Sequence, residues 1–372
     1  MEGNSKDLTI IFPIKDRAPF TVRFLSYADT IRFPYKIFIA DGGEDKTIQK
    51  YLLDKNHFQN IDYEYVRYPY DSTYAEYYSK MADSLLKIQT PFVAMADNDD
   101  FCMVEGLRKS VEFLKDNPDY AVCRGAIGGF TVDSTDKNGK YAAVIGKLNV
   151  VSKNHYYNGS NEHESAAERV KCHFHRYGST CYDVHRTEQL RKYYSILRNL
   201  DPKNIYLAEL VTSFLAVAEG KAKRFPYPYY MRQCNTPETC NRSESQKYDF
   251  FDRMLLPSWS NDFTGFAGAI AHAIADKDKI AAEDALSLVK GSYKKYVSCN
   301  IIWSLTRDRK ISRAKQLFRK IEFKLRSMAQ INIIDRLKKD CGRDIDLMYR
   351  YFNEEAPPSL FDFIKADIGN KQ

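Results

Sequence analysis

The chain lacks any run approaching the roughly 20 apolar residues that a membrane-spanning helix needs, and its mean hydropathy of -0.51 argues against an integral membrane protein. The opening residues 1–7 have neither a basic n-region nor an apolar h-region, so the chain is expected in the cytoplasm rather than secreted. The 8 cysteines are scattered without paired spacing, and without an export signal they are expected as reduced thiols. Structural zinc usually needs ligands paired as C-x₂₋₄-C or H-x₃₋₅-H. Cys172-His173-Phe174-His175 with Cys181 offers neither spacing, so zinc is not expected, and His173 and His175 read as one-sided strand or pocket residues. Asn158-Gly159-Ser160 and Asn241-Arg242-Ser243 match glycosylation acceptors but mean little in a cytoplasmic chain. A net charge of +7 is modest and no reader motif accompanies it, so nucleic acid is not an expected partner.

What is present is enough for a full core. At 372 residues and 44% hydrophobic content, the chain suits one large domain with an appendage, or two domains. The most informative stretch is Pro91-Phe92-Val93-Ala94-Met95-Ala96-Asp97-Asn98-Asp99-Asp100. Residues 92–96 read as a buried strand, and Asp97 and Asp99 project from its carboxyl end, where open α/β sheets place ligands. Clustered carboxylates repel one another unless a cation lies between them. Hard oxygen donors favour magnesium, manganese or calcium over zinc, so the motif points to a metal held against a substrate phosphate.

The rest of the amino-terminal half has matching punctuation. Residues 8–14 form an apolar strand closed by Pro13-Ile14-Lys15-Asp16-Arg17. Residues 36–40 form a second, running into Asp41-Gly42-Gly43, where glycines permit a tight turn beside a ligand. Residues 63–66 alternate as a third strand, and helical patterns occupy about 44–55, 74–88 and 106–117. Strands alternating with helices imply a mostly parallel sheet with helices on both faces.

This order of motifs resembles the family 2 glycosyltransferases, which have the Rossmann-like GT-A fold. The segments that commonly read P-T-Y-N-R, V-D-D-G-S and L-D-A-D-D in that family correspond to Pro13 through Arg17, Ile39 through Gly43, and Ala96 through Asp100. The resemblance extends over residues 7–235. It implies a nucleotide-sugar donor, a UDP-sugar foremost, contacted by Pro13, Arg17, Asp41, Asp97 and Asn98. It also implies a divalent cation, manganese or magnesium, held by Asp99 and Asp97. Ala40 stands where the family carries the first aspartate of the second motif, so the base contact falls to Asp41. The usual A-R-N segment is not recognisable; Lys80 lies nearby to meet a phosphate.

A later match supplies the base. Ala208-Glu209-Leu210 opens an amphipathic helix running to Gly220, where the family carries E-D with a glycine eleven residues on. Only the second carboxylate survives, and the resemblance assigns Glu209 as the general base of an inverting transfer, with Asp100 and Asp183 next in line. Lys221 through Phe225 reads as the final core strand, and Pro226 through Gln233 as the segment after it. There the family often places a cation near the diphosphate, a role that suits the planar fork of Arg232. Gly178-Ser179-Thr180 begins a small-residue turn that leads to a strand and a helix over 187–200, and the resemblance places this turn on the acceptor side. Residues 235–246 are polar and uneven, as in a loop closing over the donor.

The catalytic region is therefore expected over residues 1–247, with a nucleotide-sugar half at about 1–125 and an acceptor half at about 126–247. Residues 248–372 are expected to be all-helical, with helices at about 266–274, 280–288, 293–305, 311–327 and 333–337. Basic residues crowd 307–326, which suits either peripheral contact with anionic lipid or a solvated helix face. Three functions follow. One is a metal-dependent glycosyltransferase building bacterial surface glycan on a glycan or lipid-linked acceptor. Another is a nucleotidyltransferase-like phosphate enzyme, although the first strand lacks the usual glycine-rich loop. The third is an inactive scaffold that binds membrane or partner, against which Asp97, Asp99 and Glu209 stand together.

Overall fold

The computed structural model describes residues 7–133, 143–152, 159–236, 250–307, 343–352 and Phe363. Three parallel strands, β1 (Leu8–Ile14), β2 (Lys36–Asp41) and β3 (Tyr63–Arg67), alternate with helices α1 (Ala18–Thr30), α2 (Lys46–Leu53) and α3 (Tyr74–Lys87). Then come β4 (Phe92–Met95), the short β5 (Phe101–Cys102), α4 (Val104–Asp116), β6 (Tyr120–Asp133) and β7 (Lys147–Ser152). The chain continues with α5 (Ala166–His175), β8 (Val184–Arg186), α6 (Thr187–Leu200), α7 (Ile205–Glu219) and β9 (Lys221–Gln233). The described carboxyl-terminal helices are α8 (Phe250–Met254), α9 (Trp259–Asp278) and α10 (Ala282–Arg307).

The strands form one sheet in the order β3-β2-β1-β4-β8-β6-β9-β5, with β7 paired to β6. It is parallel from β3 to β4 and again between β6 and β9, with antiparallel β8 between them. The α/β class and the carboxyl-terminal helices expected from the sequence are present. Alternation explains why both faces are covered. In β1, β2 and β4, residues Ile10, Phe12, Ile37, Ile39, Phe92 and Ala94 enter one apolar cluster with α1, α2 and α4. Ile11, Phe38, Ala40, Val93 and Met95 enter the opposite cluster, which contains α3 and α5–α7 together with α9 and α10.

Several elements differ from the sequence expectation, each for a visible reason. Helix α1 and strands β5, β6 and β7 have no counterpart in the pattern reading. Residues 226–233 belong to the last strand itself: Pro226 and Pro228 lie where β9 shifts register against β6, so their missing N–H groups interrupt no regular ladder. His173 and His175 lie on a helix, because Ala166, Val170, His173 and Phe174 share its buried face. The two helices expected at 280–288 and 293–305 are one, α10; Gly291 sits within it in open space. Residues 308–342 and 237–249, which hold most of the basic segment and of the expected closing loop, lie outside the described residues.

Residues 343–352 pack against α1, β5 and α4. Tyr351 packs on Tyr27, Phe352 packs on Phe101, and Asp344 Oδ2 accepts from the Glu105 backbone N–H at 3.1 Å. No described helix is long and apolar enough to cross a membrane.

Candidate active site

The chain reverses direction across the sheet between β1 and β4, and the carboxyl ends of β1–β4 open on the crevice this creates. The loop after β4 brings Asp97, Asp99 and Asp100 together, with one carboxylate oxygen from each within 4.8 Å of the others. Asp99 and Asp100 are buried and Asp97 is half-buried. Burial, followed by the neighbouring Asp99, pushes the Asp97 carboxyl above its ordinary range, and the same causes push Asp100 well above it. The Asp100 Oδ2 atom is buried without a hydrogen bond. Crowded hard oxygens that resist ionisation side by side fit a divalent cation of the magnesium or manganese type.

Each carboxylate is held from a different element. Tyr182 Oη donates to Asp97 Oδ2 at 2.5 Å, while the Asp97 backbone N–H donates to Tyr230 Oη at 2.9 Å. Arg17 Nη2 lies 3.1 Å from Asp99 Oδ2. The Gln233 backbone N–H donates to Asp100 Oδ1 at 2.8 Å, and Arg232 Nε lies 3.4 Å from Asp100 Oδ2. Antiparallel pairing of β5 with Tyr230 and Met231 fixes this end of β9 beside the acidic loop. Arg232, expected near the diphosphate, thus stands at the carboxylates, with its guanidinium 5.0 Å from the Tyr182 ring centroid.

Arg17 reaches Asp99 from a strained turn. Asp16 and Arg17 both have φ of 57°, a left-handed conformation that non-glycine residues adopt at a cost of about 1 kcal/mol or more each. Asp16 Oδ1 offsets part of this by accepting from the Glu44 N–H at 2.8 Å. Packing requires glycine at the neighbouring turn: a Cβ on Gly42 would lie 2.4 Å from the Asp71 carboxylate, and one on Gly43 would lie 2.5 Å from the Asp16 nitrogen.

Three expected donor contacts are turned inward. Asp41 has no exposed surface: Oδ1 accepts from the Gly43 N–H at 2.8 Å, and Oδ2 accepts from Tyr65 Oη and Arg67 Nη1, each at 2.6 Å. Lys80 is buried against Asp71 and donates to the Ile14 carbonyl at 3.2 Å; burial lowers the lysine and raises its aspartate partner. Asn98 is buried, and its Nδ2 donates to Thr21 Oγ1 at 3.2 Å. Pro13 is half-buried in β1, in register with Ala40. Arg67 was not singled out from the sequence, yet a cation at the end of a parallel strand is a signal the same topological rule carries.

In the small-residue turn expected to face an acceptor, the Thr180 N–H donates to Ser213 Oγ at 3.2 Å, and Ser179 Oγ accepts from the Cys181 N–H at 3.2 Å; Gly178 is buried. Helix α7 begins at Ile205, capped by Asn204, so Glu209 lies in its second turn rather than its first. Glu209 is half-buried, and Oε1 accepts from Tyr177 Oη at 2.8 Å. Burial raises the Cys181 thiol, followed by the charges of Glu209 and Asp97. Tyr194 is buried and Tyr77, Tyr182 and Tyr206 are half-buried, and burial raises each phenol. Tyr182, Tyr230 and Tyr177 escaped the motif reading because their contacts come from residues distant in sequence. Among the described residues, the acidic trio is the one set of His, Cys, Asp and Glu arranged to hold a metal.

No protein-family model matches the chain, and no curated protein does. Among solved structures, the chain is similar to S. aureus TarS residues 1–349 in complex with UDP, at 14% identity over 84% of this chain and 78% of that one, with a TM-score of 0.46. The same TarS segment in complex with UDP-GlcNAc gives 13% identity over 83% and 78% of the two chains, with a TM-score of 0.46. Likeness of this degree names neither a family nor a substrate for the chain.

Proposed function

We propose that the chain is a metal-dependent glycosyltransferase. It moves a sugar from a nucleotide-sugar, a UDP-sugar foremost, to a glycan or lipid-linked acceptor in bacterial surface-polysaccharide synthesis, with inversion at the anomeric carbon. The observation that carries this reading is the convergence of Asp97, Asp99 and Asp100 at the carboxyl edge of β4. Their buried oxygens, flanked by Arg17 and Arg232, suit a cation and the phosphates it accompanies.

Asp99 and Asp97 would hold the cation, which when bound supplies Lewis-acid charge to diphosphate oxygens. The residues around them have separable tasks. Tyr182 and Tyr230 fix Asp97 by its side chain and backbone. Arg17 and Arg232 offer guanidinium forks to phosphate oxygens. Asp41 acts at one remove, holding the Gly43 turn and Arg67. Glu209 takes the proton of the acceptor hydroxyl as the new glycosidic bond forms, and Tyr177 orients it. The proposed place of action is the cytoplasmic face of the membrane.

The test is donor turnover across a panel of nucleotide-sugars, with and without manganese. One donor hydrolysed or transferred only with the metal is the expected result. Release of pyrophosphate from a nucleoside triphosphate would instead identify a nucleotidyltransferase, and no turnover or metal-dependent nucleotide binding would leave a scaffold.

A further inference from the structure

A polar pocket lies between α5 and the start of β9 and reaches Gly178. Its cavity of about 20 Å³ is lined by Arg124, Arg176, Arg224, His173, Asn161 and Gly178, among others. The pocket opens partly to solvent, with Arg176 exposed at the mouth.

Charge in this pocket is unbalanced. Arg124 Nε lies 3.0 Å from Asp183 Oδ1, and Arg224 Nη2 lies 2.7 Å from Asp183 Oδ2. Asp183 is thus shared by two buried guanidiniums, whose Nη1 atoms also donate to the Gly125 and Lys223 carbonyls at 3.0 Å each. Burial, and then the nearby Arg224, push Arg124 down to about 10, so it remains charged at neutral pH. The flanking Glu162 is already paired with Lys223 at 2.8 Å. Arg176 adds a third cation, with its Nη2 3.2 Å from Cys172 Sγ. Two buried polar atoms on lining residues lack partners, His173 Nε2 and Asn161 Oδ1. Excess positive charge in a low-dielectric wall is costly unless an anion accompanies it.

We propose that this pocket binds an oxyanion, a phosphate or carboxylate group, between the guanidiniums of Arg124, Arg176 and Arg224, with the His173 ring as a further partner. Planar guanidinium forks match oxyanion geometry. A monohydrogen phosphate also carries one O–H that can donate to Asn161 Oδ1. Because Gly178 belongs both to this pocket and to the acceptor turn, the oxyanion is either free or carried on the acceptor. Only that choice of source rests on the glycosyltransferase reading.

Binding is tested without any transferase assay. Inorganic phosphate is titrated into the full chain while the His173 ring resonance is followed by NMR. Saturable movement of that resonance is expected, and Arg176→Ala, at an exposed position, should weaken it about tenfold or more through loss of a charge-assisted contact. Arg232→Ala should leave the His173 response intact, which separates this pocket from anions at the acidic cluster. A methyl phosphate monoester that binds as well as phosphate identifies a group carried on an acceptor; exclusion of the monoester identifies a free anion. No His173 response, or one unchanged by Arg176→Ala, would overturn the proposal.

Discussion

Arg23 donates from Nη2 to the backbone carbonyl of Asp99 at 2.8 Å, so α1 holds the acidic loop by its main chain and leaves the Asp99 carboxylate to the site. Its Nη1 donates to the carbonyls of Ala143 and Val144, each at 3.2 Å, and Tyr351 Oη donates to the Arg23 carbonyl at 3.1 Å. One fully buried residue therefore ties together α1, the acidic loop, the segment before β7 and the carboxyl-terminal residues. Burial draws Arg23 down to about 10, which leaves it charged at neutral pH. Arg23→Met should orphan three carbonyls, at about 1–3 kcal/mol for each that water cannot reach. Urea unfolding should show a loss of several kcal/mol, with metal-dependent nucleotide binding weakened under native conditions. A variant as stable as the parent would show that Arg23 is not the clamp.

Asp99→Asn should abolish metal-dependent donor binding while the fold persists, because the amide keeps the size of the side chain and removes its charge. Calorimetry with manganese and a nucleotide-sugar measures this directly. Unchanged affinity in the variant would place the cation elsewhere.

Asp41 offers a sharper discrimination. With no exposed surface and three internal partners, it should matter to stability and to donor binding together. Asp41→Asn removes the charge facing Arg67, and the expected stability loss is about 1–3 kcal/mol. Donor affinity lost at unchanged stability would instead restore the direct base contact expected from the sequence.

These residues show how far the sequence could be read. The placement of Asp41 at the end of β2, and of Arg17, Asp97 and Asp99 in the loops after β1 and β4, was legible because a strand's carboxyl edge is where loops converge. Their partners were not. Tyr182 reaches Asp97 across 85 positions and Gln233 reaches Asp100 across 133, separations that local periodicity does not encode. Strand β9 was truncated in the reading because its prolines resemble a strand end. They are tolerated because β9 shifts register against β6 there. Helix α1 was missed because its first turn follows two left-handed residues and is buried nearly all round, leaving no polar stripe to give it away.

Stability should fall in mild acid through His173. Burial, followed by the charge of Arg224, draws this ring from 6.5 down to about 3, so the native state keeps it neutral. Between those limits the unfolded chain binds the additional proton, and stability must rise with pH across that window and be lost as pH falls through it. The contribution is at most about 5 kcal/mol for a single group. Unfolding measured at several pH values in phosphate-free buffer should show a shallower acid slope for His173→Gln than for the parent. Equal slopes would mean that the ring is accessible to protons in the native state.

The last expectation concerns the base. In an inverting transfer the acceptor hydroxyl attacks from the face opposite the leaving nucleotide diphosphate, and its proton must depart as the bond forms. Glu209 is half-buried and oriented by Tyr177 at 2.8 Å. The alternatives are poorly disposed. Asp183 is sealed between Arg124 and Arg224, and Asp100 is buried against the Gln233 N–H and Arg232. Glu209→Gln keeps the shape and removes the basicity, so turnover should fall about 10²–10⁴-fold while donor binding persists. Tyr177→Phe should cost less, because the carboxylate stays in place but loses its orienting hydrogen bond. Steady-state transfer rates paired with nucleotide calorimetry separate the two effects. Near-normal transfer by Glu209→Gln would leave the proton to a base carried by the acceptor itself.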